Sequence, residues 1–384
     1  MQQRIPAIDQ LRGLVIVLMA IDHVRDFFSP FPWQPEDLTQ TSPELFLTRW
    51  ITHFCAPVFI LLTGISAFLY EQKVSSKSEL RHFLITRGIW LVFIELVVVN
   101  ASWKFGFPAW YFVQVIWAIG VSMLFLALFT WLPRNVTLVF GVLMICTHNL
   151  ADGINASQFG ELSWLWHVLH QPGWIPFNEQ GAGVYIAYPL VPWIGVMLVG
   201  YGISPWLTSD AAQFKQRSFK LGLGILLAFI VVRLLNVYGD PVPWSEQERG
   251  GIFTLLSILN TQKYPPSLSY LLMTLGPTLM LMSVMHRLPE AINSALLTFG
   301  RVPFFYYVLH LPLIHFLALL FFIPTLGWQV GWQLGGSGAL PEGYEPSLLR
   351  LYLAWAFVTL VMFYLCKWYV GVKQRHNHWL LKYL

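Results

Sequence analysis

Charged residues are scarce in this chain: Asp, Glu, Lys and Arg make up 11% of its 384 residues, whereas hydrophobic residues make up 56%. Soluble domains carry roughly 25% charged residues. The low charge content excludes an ordinary soluble enzyme. Apolar stretches of about 20 residues, the length that spans a bilayer, recur along the whole chain. The composition therefore predicts an integral membrane protein, with the lipid bilayer as its first partner.

Cysteine and clustered basic residues are also scarce. The three cysteines, Cys55, Cys146 and Cys366, lie in apolar segments, which excludes a disulfide framework and leaves no cysteine set for a metal. No run of about five to eight Lys and Arg residues is present, so nucleic-acid binding is not expected despite the net charge of +4. We therefore expect no metal and no nucleic-acid partner.

The apolar segments predict an all-α fold, a single polytopic transmembrane helical bundle over residues 1–384 with about ten spans. An even number of spans places both termini on one side of the membrane. Most Lys and Arg residues fall in the loops on the side of the N-terminus, and the positive-inside rule makes that side cytoplasmic. The predicted spans are 11–29, 50–70, 83–101, 110–131, 135–150, 184–204, 218–238, 267–287, 302–323 and 348–370.

The long loops are predicted on the opposite side of the membrane. The loop 151–183 has no Lys or Arg but contains Trp164, Trp166 and Trp174. Two interpretations stay open. The tryptophans form a platform for a carbohydrate, since aromatic faces stack on sugar rings, or they form an aromatic belt at the membrane interface. The pattern favours the belt.

Four ionisable residues, Asp22, His23, Arg25 and Asp26, lie at the end of the first apolar helix. Ionisable groups within the bilayer are costly and mark functional sites unless they pair with one another. Because residues three and four apart are neighbours on a helix, His23 can meet Asp26, and Asp22 can meet Arg25 or Asp26. A histidine beside a carboxylate suits a general base. The alternative is a self-neutralising set of ion pairs.

Other polar residues are predicted at a similar depth on the outer side, His53 in the second span and His315 in the ninth. Several such groups in one layer indicate an outward-facing polar cavity. A packing role for any single histidine stays an equal alternative. The candidate catalytic residues are therefore His23, Asp22, Asp26, His53 and His315.

A second set of charges is predicted at the cytoplasmic face. Arg4, Asp9, Arg12 and Arg301 belong to it, and Asp9 and Arg12 are close enough on a helix to pair. Gly13 permits close backbone approach. Arginines at a membrane face suit the phosphates of a nucleotide or coenzyme. The alternative is positive-inside topology with contacts to lipid headgroups.

Three stretches of the sequence carry a family resemblance. They are Arg4-Ile-Pro-Ala-Ile-Asp9-Gln-Leu-Arg12-Gly13 with Asp22-His23-x-Arg25, then Thr48-Arg49-Trp50-Ile51-Thr52-His53-Phe54-Cys55-Ala56-Pro57 with Leu61-Leu62-Thr63-Gly64, and Gly300-Arg301-Val302-Pro303-Phe304-Phe305-Tyr306-Tyr307-Val308-Leu309-His310 through His315. The chain resembles the bacterial DUF1624 membrane proteins. These are related to the eukaryotic heparan-α-glucosaminide N-acetyltransferase within the wider transmembrane acyltransferases.

The resemblance implies transfer of an acyl group from cytosolic acyl-CoA, with acetyl-CoA as the expected donor, to a sugar or glycan acceptor across a bacterial inner membrane. In the eukaryotic enzyme the acceptor is a terminal glucosamine amine, and the implicated histidine lies in the loop after the first membrane helix of the domain. No histidine lies between Val24 and Thr52 here. The resemblance therefore implies that His23 or His53 takes this role.

The expected function is thus a membrane-embedded acyltransferase. Arg12 and Arg301 hold the donor phosphates, and His23 acts as the base or takes the acyl group itself. Asp22 or Asp26 orients His23. The alternative is a proton-coupled secondary transporter in which Asp22, His23 and Asp26 form a proton relay. A homodimer is left open.

Overall fold

The computed structural model describes residues 5–106, 110–328, 330, 334–335, 340–376, 378 and 381. Arg4, one of the predicted donor-binding residues, lies outside the described residues. The described chain forms two compact units. The first contains Ala56–Leu96 and 110–285, and the second contains Ile5–Cys55, 97–106 and the described residues from 286 onward.

Helices make up most of the described chain. The α-helices are α1 (Pro6–Phe28), α2 (Pro43–Thr52), α3 (Cys55–Glu71), α4 (Lys77–Ile94), α5 (Asn100–Lys104), α6 (Val115–Phe129), α7 (Arg134–Thr147), α8 (Ser163–Leu169), α9 (Leu190–Thr208), α10 (Ala211–Leu235), α11 (Gly251–Leu259), α12 (Leu268–Val284), α13 (Glu290–Arg301), α14 (Pro303–Leu326) and α15 (Leu348–Arg375). The π-helical segment Glu95–Val99 joins α4 to α5, and 3₁₀ segments cover His148–Ala151, Ala156–Leu162 and Met285–Arg287.

Side-chain caps fix where several of these helices begin. The hydroxyl or carboxylate of the residue before the first turn accepts a hydrogen bond from a backbone N–H inside that turn, which satisfies a donor that would otherwise lack a partner. The capping residues are Ser42 for α2, Ser76 for α4, Asp210 for α10, Ser267 for α12 and Ser347 for α15.

Seven helical stretches of the described chain are long and apolar enough to cross a membrane, and a bent pair raises this to eight if it forms one span. The stretches are Pro43–Glu71, Lys77–Lys104, Leu190–Thr208, Ala212–Leu235, Leu268–Arg287, Pro303–Leu326 and Leu348–Arg375, with Arg134–Ala151 and Ala156–Leu169 as the bent pair. The predicted number of about ten spans and the cytoplasmic termini are therefore not confirmed. The 15-residue α6 is shorter than a full span, and α1 carries five charged residues.

A small sheet in the first unit corrects the all-α prediction. Strand β1 (Tyr111–Val113) pairs in parallel with β3 (Gly183–Ile186), and β2 (Gly173–Pro176) pairs with β3 antiparallel. Residues 111–113 belong to the predicted span 110–131, of which only Val115–Phe129 is helical. The short runs of β-branched and aromatic residues favour strands, but three or four residues are too few for a periodicity to be read from the sequence.

Helix pairs in the first unit cross at facing glycines. The pairs are Gly88 of α4 with Gly120 of α6, Gly141 of α7 with Gly195 of α9, and Gly222 of α10 with Gly276 of α12. A Cβ atom added at Gly88, Gly141 or Gly222 would lie 2.7, 2.9 or 2.6 Å from the carbonyl oxygen of the facing glycine. Small residues at such crossings let the backbones approach, and the resulting van der Waals contact drives helix association in lipid.

The same device joins α1 to α13 in the second unit. A Cβ atom at Gly13 would collide with the carbonyl oxygen of Leu296, and one at Gly300 would collide with that of Asp9. Gln10 donates a hydrogen bond of 2.7 Å to Asn293 across the same crossing. The close backbone approach predicted at Gly13 is therefore confirmed, and its partner is a neighbouring helix.

A buried arginine organises the segment that follows α10. Arg233 is 2% exposed, and its guanidinium donates hydrogen bonds of 2.8–3.0 Å to four backbone carbonyl oxygens. The acceptors belong to Val242, Ser257, Ile258 and Asn260, so Arg233 ties the end of α11 and the preceding loop to α10.

The glycine crossings predict opposite effects for two neighbouring substitutions on α10. Gly222→Ala forces α10 away from Gly276 and should lower the free energy of unfolding by about 1–3 kcal/mol. Gly224→Ala meets no atom within 4 Å and should raise it by up to about 1 kcal/mol, because alanine favours the helix. Unfolding of the purified protein in detergent measures both values. Equal effects of the two substitutions would contradict the close crossing.

Candidate functional site

An ion-pair network surrounds the end of α1 in the second unit. Arg25 donates hydrogen bonds of 2.9 Å to both Asp22 and Asp26. Arg49, on α2, donates a hydrogen bond to Asp22 and one of 2.6 Å to Glu36 in the loop between α1 and α2. The side chains of Arg25 and Arg49 are 13% and 11% exposed. The network therefore fixes the end of α1 against the loop and α2.

His53 extends this network beyond the arginines. Its Nε2 lies 3.4 Å from Glu36 Oε1, and the residue is 1% exposed. The pKa of Glu36 lies well below its ordinary value: burial alone would raise it, but the charge of Arg49 and the hydrogen bonds from His53 and Arg49 lower it more. Glu36 is therefore ionised at neutral pH and gives His53 a carboxylate partner.

The charges of the network nearly cancel. Asp22, Asp26 and Glu36 supply three negative charges, and Arg25 and Arg49 supply two positive ones. Buried charges are tolerated when each is paired and hydrogen-bonded, and here each arginine bridges two carboxylates. The predicted pairing of Asp22 with Arg25 is confirmed, and self-neutralisation accounts for much of the cluster.

His23 lies beside this network but packs against rings. Its ring centroid is 5.4 Å from that of Trp103 and 5.1 Å from that of His310, each in an edge-on arrangement. His310 is 1% exposed, whereas His23 is partly exposed. The indole Nε1–H of Trp103 is buried without a hydrogen-bond acceptor among the described residues. The cluster thus combines two imidazoles with an unused N–H donor.

The backbone fixes the tautomer of His310. Its Nδ1–H donates to the carbonyl oxygens of Tyr307 and Tyr306, at 2.6 and 3.1 Å, so Nε2 carries the lone pair in the neutral ring. Nε2 is buried and has no hydrogen-bond partner in the part of the chain that the structure describes. A buried imidazole nitrogen held in this state can accept a proton, or a hydrogen bond from an N–H group.

His315 lies one and a half turns farther along α14 in the same aromatic cluster. It stacks on Phe105 with ring centroids 4.1 Å apart, and the tilted ring of Phe27 lies at 4.7 Å. Its Nδ1–H donates to the carbonyl oxygen of Ser102 at 3.0 Å. Phe27 also stacks on Trp103 at 5.4 Å, so the rings around His315 continue to those around His23.

Two of the predicted donor-binding residues, Asp9 and Arg12, lie at the start of α1. Arg12 donates hydrogen bonds to Asp9 at 3.0 Å and to the carbonyl oxygen of Gly300 at 3.4 Å. Arg301, the residue after that acceptor, ends α13 with an exposed side chain. The structure therefore forms the predicted Asp9–Arg12 pair and brings it to the end of α13.

Four residues of this arrangement were not selected from the sequence. Glu36, in the loop before α2, contacts His53, and Arg49, on α2, contacts Asp22. Trp103 and His310 meet His23 only through helix packing. Arg49 and His310 belong to stretches that carried the family resemblance. Sequence spacing could not predict the contacts of Arg49 and His310, because the residues that they contact lie far away in the sequence.

Comparison with known families identifies the chain at this level. The model of the family described as heparan-alpha-glucosaminide N-acetyltransferase, catalytic, matches residues 4–239, which is more than half of the chain. The chain therefore belongs to this family of membrane acetyltransferases. No individual curated protein gives a significant match. The matched region contains the whole ion-pair network and the Asp9–Arg12 pair, whereas His310 and His315 follow it.

The network predicts a large cost for removing Arg49. Arg49→Ala leaves Asp22 and Glu36 short of positive charge in a largely buried site and should lower the free energy of unfolding by about 3–5 kcal/mol. Adding Glu36→Gln to Arg49→Ala should recover part of this loss. The exposed Arg375→Ala is the control and should change stability by less than about 0.5 kcal/mol. If Arg49→Ala matched that control, the network would not hold α1.

The depressed pKa of Glu36 predicts acid-linked stability. Above about pH 4.3, the ordinary value for glutamate, Glu36 is ionised in both states and its contribution is fully present. Below that pH the unfolded chain takes up the proton first, so the contribution decreases until the pH reaches the lower folded pKa. The stability difference between wild type and Glu36→Gln should therefore be constant from pH 7 to about 5 and shrink toward pH 3. A difference that grew on acidification would show the opposite shift.

Proposed function

We propose that the chain transfers an acetyl group from acetyl-CoA to an amine or hydroxyl group of a sugar or glycan acceptor on the other side of the membrane. Family membership supports acetyl transfer. The observation that carries the histidine chemistry is the pair of rings His23 and His310, because His310 is anchored through Nδ1 and its buried Nε2 has no hydrogen-bond partner among the described residues.

His23 is the base in this proposal. It is the partly exposed member of the pair, so the acceptor can reach it. The acceptor nitrogen or oxygen attacks the thioester carbonyl carbon and passes its proton to the His23 ring. The tetrahedral intermediate then breaks the carbon–sulfur bond, and the proton leaves with the CoA thiol. His310 Nε2 is the acceptor for the additional N–H of protonated His23.

Trp103 supplies the oxyanion donor. Its buried indole N–H lacks an acceptor among the described residues, and its ring contacts His23. A donor left unsatisfied in the resting site gains its partner when the carbonyl oxygen becomes negative, which is the differential stabilisation that catalysis requires. Asp22 and Asp26 act indirectly, because their observed hydrogen bonds to Arg25 hold the helix that carries His23.

Arg12 and Arg301 hold the donor phosphates in this proposal. Arg12 is oriented by Asp9 and the Gly300 carbonyl, and arginine pairs well with phosphate oxygens. Arg12 and His23 lie about 16 Å apart along α1, at 1.5 Å per residue. That distance is close to half of the roughly 30 Å hydrocarbon thickness of a bilayer. In this proposal the thioester-bearing arm of acetyl-CoA extends over that distance and reaches His23 from the side of Arg12.

We further propose a bacterial inner membrane with the phosphate-binding end of α1 on the cytoplasmic side. In the ten-span topology predicted from the sequence, the excess of Lys and Arg in loops on the side of the N-terminus supports this orientation. A primary amine on an amino sugar is the favoured acceptor, since the family name describes N-acetylation of a glucosaminide.

Release of CoA thiol from acetyl-CoA by the purified protein tests this proposal. Panels of amino sugars and of sugars with only hydroxyl groups are offered as acceptors. His23→Ala should lower kcat by about 100-fold or more, and Trp103→Phe should lower kcat by roughly 100-fold with little change in KM. Arg12→Ala should raise the KM for acetyl-CoA.

The control variant is His82→Ala, an exposed histidine on α4, which should retain wild-type kinetics. The absence of acceptor-dependent thiol release by wild type with every sugar would remove the proposed function. Full activity of His23→Ala would remove His23 as the base and leave His53 and His315 to be tested in turn.

A further inference from the structure

A second group of histidines lies in the first unit, where the helical segments Arg134–Ala151 and Ala156–Leu169 meet at a bend of 108°. His148 and Asp152 follow the end of α7, and His170 follows α8. One ligand atom from each of the three side chains lies within 4.8 Å of the other two. None of these residues belongs to the acetyl-transfer site described above.

The imidazole of His148 is buried, and none of the described residues forms a hydrogen bond with it. The residue is 5% exposed, and neither Nδ1 nor Nε2 has a hydrogen-bond partner within the part of the chain that the structure describes. Its ring meets that of His170 edge-on, with centroids 5.7 Å apart. Burial of an imidazole without hydrogen bonds destabilises the folded chain, unless a ligand binds to its ring nitrogens.

The other two residues of the cluster are already oriented toward each other. His170 is 5% exposed, and its Nε2 lies 3.1 Å from Asp152 Oδ1. Asn149 donates a hydrogen bond of 2.8 Å to the other oxygen of Asp152, and the Asn149 side-chain carbonyl accepts one of 2.9 Å from Leu268 N–H. Asn149 therefore positions the Asp152 carboxylate, and the backbone N–H of Leu268 positions Asn149.

An indole ring completes the surroundings of His170. Trp166, one turn earlier on α8, packs against His170 with ring centroids 5.1 Å apart and donates from Nε1 to the Ile154 carbonyl oxygen at 3.0 Å. Hydrogen-bonded and apolar groups behind the ligands fix their orientation and limit solvent access, as they do around established metal sites.

We propose that His148, Asp152 and His170 form a zinc-binding site. Two imidazoles and one carboxylate are ligands that zinc accepts, at about 2.0–2.2 Å each. Ligand atoms around a tetrahedral zinc lie about 3.3 Å apart, so the three groups close by up to about 1.5 Å on binding. A water molecule or an exogenous ligand takes the fourth position.

The bound zinc would join the two arms of the bend. His148 lies in the first segment and Asp152 directly follows it, whereas His170 directly follows the second segment, so coordination closes the intervening chain as a loop. A metal that binds the folded chain stabilises it by mass action. The proposed zinc ligands lie outside the acetyl-transfer site, and zinc binding can be measured without acetyl-CoA.

Zinc titration of the purified protein tests the proposal. The protein carries no histidine tag, is stripped with a chelator and is titrated with zinc against a competing chelator. Wild type should bind one zinc per chain with an elevated melting temperature. His148→Ala and His170→Ala should each weaken binding by about 100-fold or more, beyond the usual effect of losing an outer-shell partner. Asp152→Asn should weaken it as well.

Matched variants separate loss of a ligand from loss of folding. His167 lies on the same helix as Trp166 and is not one of the proposed ligands, because its Nδ1–H donates to the Gln171 carbonyl oxygen at 3.0 Å. The variant His167→Ala should therefore bind zinc as wild type does. His170→Cys replaces one zinc ligand with another and should restore much of the affinity that His170→Ala loses. No zinc bound by wild type, or equal affinity in wild type and His148→Ala, would overturn the proposal.

Discussion

Close backbone approach at glycine is the constraint on which the candidate site depends. Helices in lipid gain little from hydrophobic burial against one another, so packing contact must hold them together. The crossing of α1 and α13 at Gly13 and Gly300 provides that contact in the second unit. Because α14 begins two residues after α13 ends, the crossing also sets where α14 starts and hence where His310 meets His23.

Ion pairing supplies the second constraint, at the opposite end of α1. Asp22 and Asp26 would be costly in an apolar environment if they stood alone, but Arg25 and Arg49 bridge them to each other and to Glu36. This arrangement separates two tasks within one turn of helix. The carboxylates and guanidiniums form ion pairs with one another, and the imidazole of His23 packs in the aromatic cluster with Trp103 and His310.

Local geometry explains which parts of the site were predictable. The pairs Asp9–Arg12 and Asp22–Arg25 are three residues apart on one helix, so sequence spacing predicts them directly. The bridges from Arg49 to Asp22 and Glu36, and the contact of His23 with His310, join residues whose approach is set by helix packing and loop path. Span length and hydrophobicity predicted most of the long helices, but they missed the shorter helices α8, α11 and α13, which lie between the predicted spans. The three short strands offered too few residues for a pattern.

The pH dependence of kcat is the measurement that tests the central claim, a histidine base at His23, most directly. Acceptor-saturated acetyl transfer by wild type should fall at acidic pH as the His23 imidazole becomes protonated and can no longer accept a proton. In His310→Gln the midpoint of this fall should move, because the neighbouring acceptor for protonated His23 is changed. In His23→Ala the residual rate should lack that dependence. An unchanged acidic fall in His23→Ala would contradict the account and assign the base to another group.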